Sequence, residues 1–218
     1  MKENETIKAV IFDMDGLMLD TERPLFPIWK NVAETYGYKL DDKILIKTLG
    51  TNEEGTRKAI TENFSSDFPY DKIRSDVSRL YREELDKGIA HKEGLLALLT
   101  HIKLCEIPMG VATSTRRESA LNKLSKTGII DYFKIIVAGN EVKNGKPAPD
   151  IFLKAAELLG QLPSLCMGFE DSSPGLQGLY SAGIRSIFIK DIAEPPPEVL
   201  TKVWKRYSNL AEAIELFK

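Results

Sequence analysis

The sequence predicts an α/β protein with an open parallel sheet, helices on both faces of the sheet, and a small all-helical segment inserted after the first strand. Two observations predict this class. Short apolar runs of strand length alternate with segments of helical periodicity over most of the chain, which is the pattern of a parallel sheet connected by helices. The stretch after the first apolar run contains helical patterns only, so it interrupts the alternation as an insertion.

The first predicted strand covers residues 9–12, AVIF, and two aspartates follow it. A continuous apolar run is typical of a strand that is buried on both faces. Strand alternation places Asp13 and Asp15 on one side of the strand end, and Gly16 turns the chain. Crowded carboxylates repel each other, and a divalent cation such as Mg²⁺ would offset that repulsion. A solvated acidic turn is the alternative interpretation of this spacing.

The stretch up to about Gly88 reads as about four helices, and we predict that it forms a cap domain over residues 19–89. The core domain would then consist of residues 1–18 and 90–218. The first predicted cap helix carries Leu25, Ile28, Trp29 and Val32 and is stopped by Gly37. The others cover residues 44–49, 57–64 and 73–85.

The second part of the chain alternates strands and helices, which predicts a Rossmann-like core. We expect the prolines at 195–197 to form a stiff surface loop. The predicted strands cover residues 109–112, 135–137, 165–169 and 186–189, and the predicted helices cover residues 93–105, 116–127, 151–159, 174–182 and 209–217.

Composition excludes several classes of protein. A net charge of -2 gives no basic surface for nucleic acid, and no apolar run approaches the ~20 residues of a membrane span. The N-terminal MKENETIK is polar and does not resemble a signal peptide. We predict that Cys105 and Cys166 are reduced core residues, and we expect a monomeric cytoplasmic protein.

Polar residues follow four of the predicted strands, at the sheet edge where ligands of open parallel sheets bind. Each has another reading: a hydroxyl or a carboxylate could cap a helix, and the lysine could be a solvated surface group. Together they fit a metal, a phosphoryl group and a nucleophile. These strand-end residues are Asp13, Asp15, Thr113, Ser114, Lys146, Glu170 and Asp171.

In this order, the same segments resemble the four motifs of the haloacid dehalogenase superfamily, and more closely its β-phosphoglucomutase-like phosphatases. The resemblance covers nearly the whole chain, including a helical cap after the first strand. The matching segments are FDMDGLMLDTE at 12–22, TS at 113–114, KPAPDIF at 146–152 and EDSSPG at 170–175.

The resemblance implies a role for each carboxylate. Asp13 would be the nucleophile that forms an aspartyl-phosphate, and Asp15 would be the general acid and then the general base. Asp171, with Glu170, would bind Mg²⁺ beside the Asp13 carboxylate and the Asp15 carbonyl.

The resemblance also implies that Thr113, the backbone N–H of Ser114, and Lys146 hold the phosphoryl oxygens. This agrees with the demands of phosphoryl transfer, which needs alignment and neutralisation of charge. The implied partner is a small phosphorylated metabolite, and sugar phosphates and nucleoside monophosphates both remain open.

Two departures favour hydrolysis over phosphosugar mutase activity. Leu25 stands where β-phosphoglucomutase has a histidine, and neither Asn52 nor Glu53 supplies the cap arginine that grips a second phosphate. The mutase remains one alternative, and a non-enzymatic sensor of a phosphorylated ligand remains another.

Substrate contacts in the cap are predicted from two features. The loop of Gly50, Thr51 and Asn52 follows a short predicted helix and is the first candidate. Trp29 is the second candidate, and a core position is its alternative.

Overall fold

The computed structural model describes residues 7–218, and its sheet confirms the predicted fold class. The strands form one parallel sheet of six in the order β3-β2-β1-β4-β5-β6, where β1 is Ala9–Phe12, β2 is Met109–Thr113, β3 is Ile135–Ala138, β4 is Cys166–Glu170, β5 is Arg185–Ile189 and β6 is Lys205–Tyr207. Because neighbouring strands are parallel, their carboxyl ends share one edge of the sheet.

The helices are α1 (Glu22–Thr35), α2 (Asp42–Ile46), α3 (Glu53–Thr61), α4 (Tyr70–Asp86), α5 (Leu95–Leu104), α6 (Arg117–Lys126), α7 (Asp150–Leu158), α8 (Ser173–Ser181) and α9 (Pro197–Leu200). Short 3₁₀ segments lie at Ile130–Tyr132, Gly139–Glu141, Pro163–Leu165 and Glu212–Phe217.

Strand β1 is central and buried because each of its residues is apolar. Val10 and Phe12 pack in a cluster with residues of α5 and α6. Ala9 and Ile11 point to the other face and pack in a cluster with residues of α7 and α8. The alternation of strand side chains therefore places helices on both faces of the sheet, as predicted.

Helices α1 to α4 follow β1 and have a hydrophobic cluster of their own. Trp29, Leu45, Ile60 and Ile73 are buried in this cluster. Helix α5 belongs instead to the core, because Leu98 and its neighbours pack against the sheet. The helical insertion is thus present, while the boundaries of residues 19–89 and of residues 1–18 and 90–218 stay a prediction.

Several details of the sequence-based prediction are wrong. Cys105 is exposed, because it lies at the end of α5, whereas Cys166 is buried and both thiols are free. The last helix is a 3₁₀ segment that begins only at Glu212. Pro197 begins the short α9 rather than lying in a loop. Strand β6 was not predicted, because its exposed Lys-Arg-Tyr sequence carries no apolar pattern.

Within residues 7–218, no helix combines the length and apolar character that crossing a membrane would need. Most of the MKENETIK segment, on which the signal-peptide prediction depends, lies outside the described residues.

Candidate active site

The strand-end segments meet at one edge because β1 is hydrogen-bonded to both β2 and β4. Asp13 follows β1, Thr113 ends β2 and Glu170 ends β4. Lys146 comes from the loop that precedes α7. Four separate parts of the chain thus supply polar side chains to one place.

Asp13, Glu170 and Asp171 form a buried acidic group, and each offers an oxygen within 4.8 Å of the others. Lys146 Nζ lies 2.5 Å from Asp13 Oδ1 and 2.5 Å from Glu170 Oε1. Lys146 is only 5% exposed, so the solvated-lysine alternative is wrong. When all are ionised, three carboxylates face one ammonium and leave an excess of negative charge.

Both oxygens of Glu170 are occupied by protein donors. Oε1 accepts from Lys146 at 2.5 Å, while Oε2 accepts from the N–H groups of Asp171 and Ser172 at 3.0 and 2.9 Å and from the Ser172 hydroxyl at 2.9 Å. Ser172 is also the N-cap of α8 and accepts the Gly175 N–H. The helix-cap alternative for Glu170 and Asp171 is therefore wrong.

Burial and neighbouring charges shift the pKa values of Asp13, Asp171 and Lys146. Burial raises the pKa of Asp13 well above its usual range, and the Glu170 charge adds to this although Lys146 opposes it. Burial and the Glu170 charge also raise the pKa of Asp171. Burial lowers the pKa of Lys146, but Asp13 and Glu170 outweigh it and hold this pKa above its usual range. Lys146 alone therefore does not keep Asp13 readily ionised.

The Asp15 side chain is held by a separate set of donors. Its Oδ1 accepts from Lys123 Nζ at 2.5 Å and from the Thr21 hydroxyl at 2.8 Å, and its Oδ2 accepts from the Thr115 hydroxyl at 2.7 Å. Burial raises the pKa of Asp15, but the charge and hydrogen bond of Lys123, with the bonds of both threonines, outweigh it and lower this pKa. Both directions are opposite to those that the implied roles of a nucleophile and a general acid require. For Asp13 burial outweighs the effect of Lys146, and for Asp15 the charge of Lys123 outweighs burial.

Sequence reasoning missed Lys123, although a signal for it was present. Ala120, Lys123 and Leu124 share the buried face of α6 at helical spacing. A lysine on the apolar face of a helix needs a partner of opposite charge, and Asp15 is that partner.

The segment after β2 supplies hydroxyls but no helix cap. The N-cap of α6 is Arg116, which makes no side-chain capping bond, so the cap alternative for Thr113 and Ser114 is wrong. Thr113 is buried and its hydroxyl oxygen accepts the Thr115 N–H at 3.1 Å. The Ser114 hydroxyl donates to the Gly50 carbonyl at 2.9 Å, which joins this segment to the helical insertion.

A cavity of about 410 Å³ lies between the strand ends and the helical insertion. Every candidate contact from the insertion lines it, since Trp29, Gly50, Thr51 and Asn52 all reach it. Trp29 is also 3% exposed and part of the hydrophobic cluster, so the two readings of this residue are compatible. Asn52 caps α3 by accepting the Gly55 N–H. Asp13, Asp15, Thr113 and Ser114 line the opposite wall.

Charged residues that the sequence did not single out also line this cavity. Arg74 and Arg82 come from α4, and Arg116 from the segment after β2. Arg74 is held by Glu53, with 2.9 Å between Nη2 and Oε2. Glu22 lines the cavity too, and burial, with the nearby Asp15 charge, raises its pKa to about 7.

The parallel sheet, the helical insertion after its first strand, and the acidic group at the strand ends together define a class of hydrolases. The chain belongs to the haloacid dehalogenase-like hydrolase family, whose family model matches residues 10–189. Within the family it belongs to the β-phosphoglucomutase-like subfamily and is an enzyme of the phosphatase type.

The chain is similar to several proteins that are named as enzymes of phosphorylated compounds. It is 32% identical to the phosphorylated carbohydrates phosphatase of Thermotoga maritima, over 84% of each chain. It is 31% identical to the fructose-1-phosphate phosphatase of Escherichia coli, over 85% of this chain and 98% of that one. The β-phosphoglucomutase of Clostridium difficile has the same fold, with a TM-score of 0.80, 27% identity, and coverage of 95% and 93% of the two chains.

Proposed function

We propose that the chain is a magnesium-dependent phosphatase that hydrolyses a small phosphorylated metabolite through an aspartyl-phosphate on Asp13. The observation that carries this proposal is the buried arrangement of Asp13, Lys146, Glu170 and Asp171, of which Asp13 lines the cavity. Phosphoryl transfer needs a positioned nucleophile and a concentration of positive charge around the transferred group. The strand ends offer the first, and Lys146 with a divalent cation would provide the second.

The residues present fit a divalent cation. Asp171 Oδ1 is buried and accepts no hydrogen bond from the described residues, although a buried oxygen of this kind normally has a partner. A side chain at Gly16, where φ is +84°, would place its Cβ 2.3 Å from Asp171 Oδ2, so only glycine leaves this carboxylate its space. Oxygen ligands suit Mg²⁺.

Asp171 and Asp13 would hold the cation directly, together with the Asp15 carbonyl. Glu170, whose oxygens are already occupied, would contribute mainly by holding Lys146 and the Asp171 backbone. Bound Mg²⁺ would supply positive charge that holds Asp13 ionised and offsets the charge of the phosphate.

In the first step, a carboxylate oxygen of Asp13 attacks phosphorus as the bond from phosphorus to the ester oxygen breaks. Asp15 must carry a proton for this step, although Lys123 favours its ionised form, and it gives that proton to the ester oxygen, so the alcohol leaves neutral. Thr113, the Ser114 N–H and Lys146 hold the phosphoryl oxygens during the transfer.

In the second step, water attacks the phosphorus of the aspartyl-phosphate and gives a proton to Asp15. The bond between phosphorus and the Asp13 oxygen breaks, which releases inorganic phosphate and returns both carboxyls to their starting states. The overall reaction consumes one ester and one water, and it yields one alcohol and one phosphate.

The helical segment 19–89 would act as a cap that closes over the substrate and excludes bulk water. The contact from Ser114 to Gly50 already joins its loop to the site. Trp29, Thr51 and Asn52 would then face the part of the substrate that leaves.

Sugar phosphates are the first substrate class to test. The relatives' names include phosphorylated carbohydrates and fructose 1-phosphate, and a cavity of about 410 Å³ falls in the range of small-molecule sites. Its polar wall of Asn52, Thr51 and Glu22 offers hydrogen-bond partners for hydroxyl groups. Nucleoside monophosphates remain the second class.

The test is a screen of phosphate release over a panel of hexose, pentose and nucleoside phosphates with Mg²⁺ present. We expect turnover of at least one sugar phosphate by the wild type and none by Asp13→Asn. The matched control is Asp131→Asn, which changes an exposed aspartate in the 3₁₀ segment Ile130–Tyr132 and should keep full activity. Turnover that survives in Asp13→Asn would overturn the proposed mechanism.

Mutase activity is the second candidate, and the similarity to β-phosphoglucomutases favours testing it. Arg82 and Arg116 line the cavity, where a second phosphate would meet them, although neither occupies the position considered near Asn52. Conversion of β-glucose 1-phosphate to glucose 6-phosphate with a bisphosphate primer would support it, whereas release of inorganic phosphate alone supports the phosphatase.

A further inference from the structure

Lys123 is a buried cation outside the acidic group that holds Lys146. It is 4% exposed and lies on the face of α6 that also carries Ala120 and Leu124. An ammonium in such a place is costly unless a carboxylate is fixed beside it. Its Nζ lies 2.5 Å from Asp15 Oδ1, so the two side chains fix each other.

Among the donors to Asp15 in the described part of the chain, Lys123 is the charged one. The others are hydroxyls of Thr21 and Thr115, with a long contact of 3.5 Å from Thr113. Hydroxyls can turn to serve other acceptors, whereas the ammonium is held by its buried helix. Lys123 therefore determines where the Asp15 carboxyl lies.

Lys123 also touches the helical insertion. Tyr81 of α4 has its hydroxyl 3.5 Å from Lys123 Nζ and its ring centroid 5.4 Å from the same atom. The Tyr81 hydroxyl donates to the Thr21 carbonyl at 3.2 Å. The position of Asp15 is thus linked, through Lys123 and Thr21, to a helix of the insertion.

We infer that Lys123 is a positioning residue for proton transfer by Asp15. This inference rests on the proposed phosphatase function. When the Asp15 proton moves to the ester oxygen, a negative charge appears on Asp15, and the Lys123 ammonium already faces that charge. Fixed charge of this kind stabilises a transition state without reorganisation. Lys123 keeps its own protons and makes no bond to the substrate.

The inference predicts an effect that depends on the leaving group. Sugar hydroxyls are poor leaving groups and need the proton, whereas 4-nitrophenolate leaves with little help. In Lys123→Gln we expect kcat/KM to fall by about 10²-fold, the usual scale of general-acid catalysis, for the hexose phosphate that the wild type hydrolyses fastest. For 4-nitrophenyl phosphate we expect a fall of less than about 5-fold, because kcat/KM reports only the steps up to the first transfer.

Two further variants complete the experiment. Lys123→Arg keeps the charge and should recover much of the lost activity toward the hexose phosphate. Lys126→Gln removes an exposed lysine one turn along the same helix, which pairs with Asp86, and should change neither rate. The Mg²⁺ concentration for half-maximal activity should be unchanged in all of them, because Lys123 makes no contact with Asp171.

Equal losses for both substrates, or no loss for either, in Lys123→Gln would overturn the inference while wild-type turnover still supported the phosphatase. If the glutamine variant does not fold, Lys123→Arg decides: an arginine variant that loses activity equally toward both substrates would also overturn it. A wild type that hydrolyses neither substrate would overturn the phosphatase itself, and the inference with it.

Discussion

Replacing Glu170 by glutamine should destabilise the fold before any metal is involved. Glu170 is 0% exposed, and four donors converge on its two oxygens: Lys146, two backbone N–H groups and the Ser172 hydroxyl. A glutamine amide has one accepting oxygen and an NH₂ group that only donates. Whichever way the amide turns, its NH₂ faces a donor, and Lys146 loses one of its two carboxylates.

The expected cost follows from burial. Leaving a buried donor without its acceptor costs about 1–3 kcal/mol. The cost stays below the value of about 3–5 kcal/mol for a buried charge left without any partner, because Lys146 keeps Asp13. Whole domains are stable by only about 5–15 kcal/mol, so the change is measurable. With a urea dependence of about 2 kcal/mol per M, the unfolding midpoint should fall by about 1 M.

The assay is urea unfolding at pH 7 followed by circular dichroism, in EDTA and again in Mg²⁺. Glu157→Gln is the matched control, because Glu157 is exposed on α7, and it should change stability by less than about 0.5 kcal/mol. A Glu170→Gln protein that matches this control in EDTA would refute the reasoning. A loss that occurs only in Mg²⁺ would mean that Glu170 acts mainly as a metal ligand.

Three further predictions concern the metal, the lysine and pH. Asp171→Asn should raise the Mg²⁺ concentration needed for half-maximal activity by at least about 10-fold, and full activity of the wild type after exhaustive EDTA treatment would contradict the metal requirement. Lys146→Ala should lower kcat at least ~10²-fold, and near-normal kinetics of this variant would contradict the prediction. The control is Lys154→Ala, at a lysine that donates to the Glu141 carbonyl. Burial raises the pKa of Glu22 from 4.5 to about 7, so the folded state binds an extra proton between these pH values and wild-type stability falls as pH rises through that window. Glu22→Gln should therefore leave stability unchanged below pH 4.5 and raise it above pH 7 by up to about 3 kcal/mol. Parallel stability curves for the two proteins would contradict this prediction.

Much of the fold could be predicted because its signals are local. The apolar run at residues 9–12 is enough to indicate a buried central strand, and the structure shows it fully buried. Strand β6 could not be found in this way, since an edge strand with exposed Lys205 and Arg206 has no apolar alternation to detect. Cys105 was misplaced because apolar neighbours in sequence do not show which side of a helix end faces solvent.

Some residues of the candidate site could likewise be predicted from local sequence, and others could not. Asp13 and Glu170 could be found because each directly follows or ends an apolar strand. Lys123 and Thr21 could not be assigned to Asp15, because both contacts depend on how α6 and the segment after β1 come together in the folded chain. Lys146 was found as a residue, but its burial between two carboxylates follows only from the folded chain.

The central claim is that Asp13 carries the phosphoryl group. We would mix enzyme, Mg²⁺ and a phosphate-labelled aryl ester, quench in acid within milliseconds, reduce the protein with borohydride, and locate the modified residue by mass spectrometry. The account predicts a modification at Asp13 that is absent in Asp13→Asn and accumulates in Asp15→Asn, where hydrolysis of the aspartyl-phosphate lacks its base. Label on Thr113 or Ser114, or full turnover with an unmodified Asp13, would contradict it.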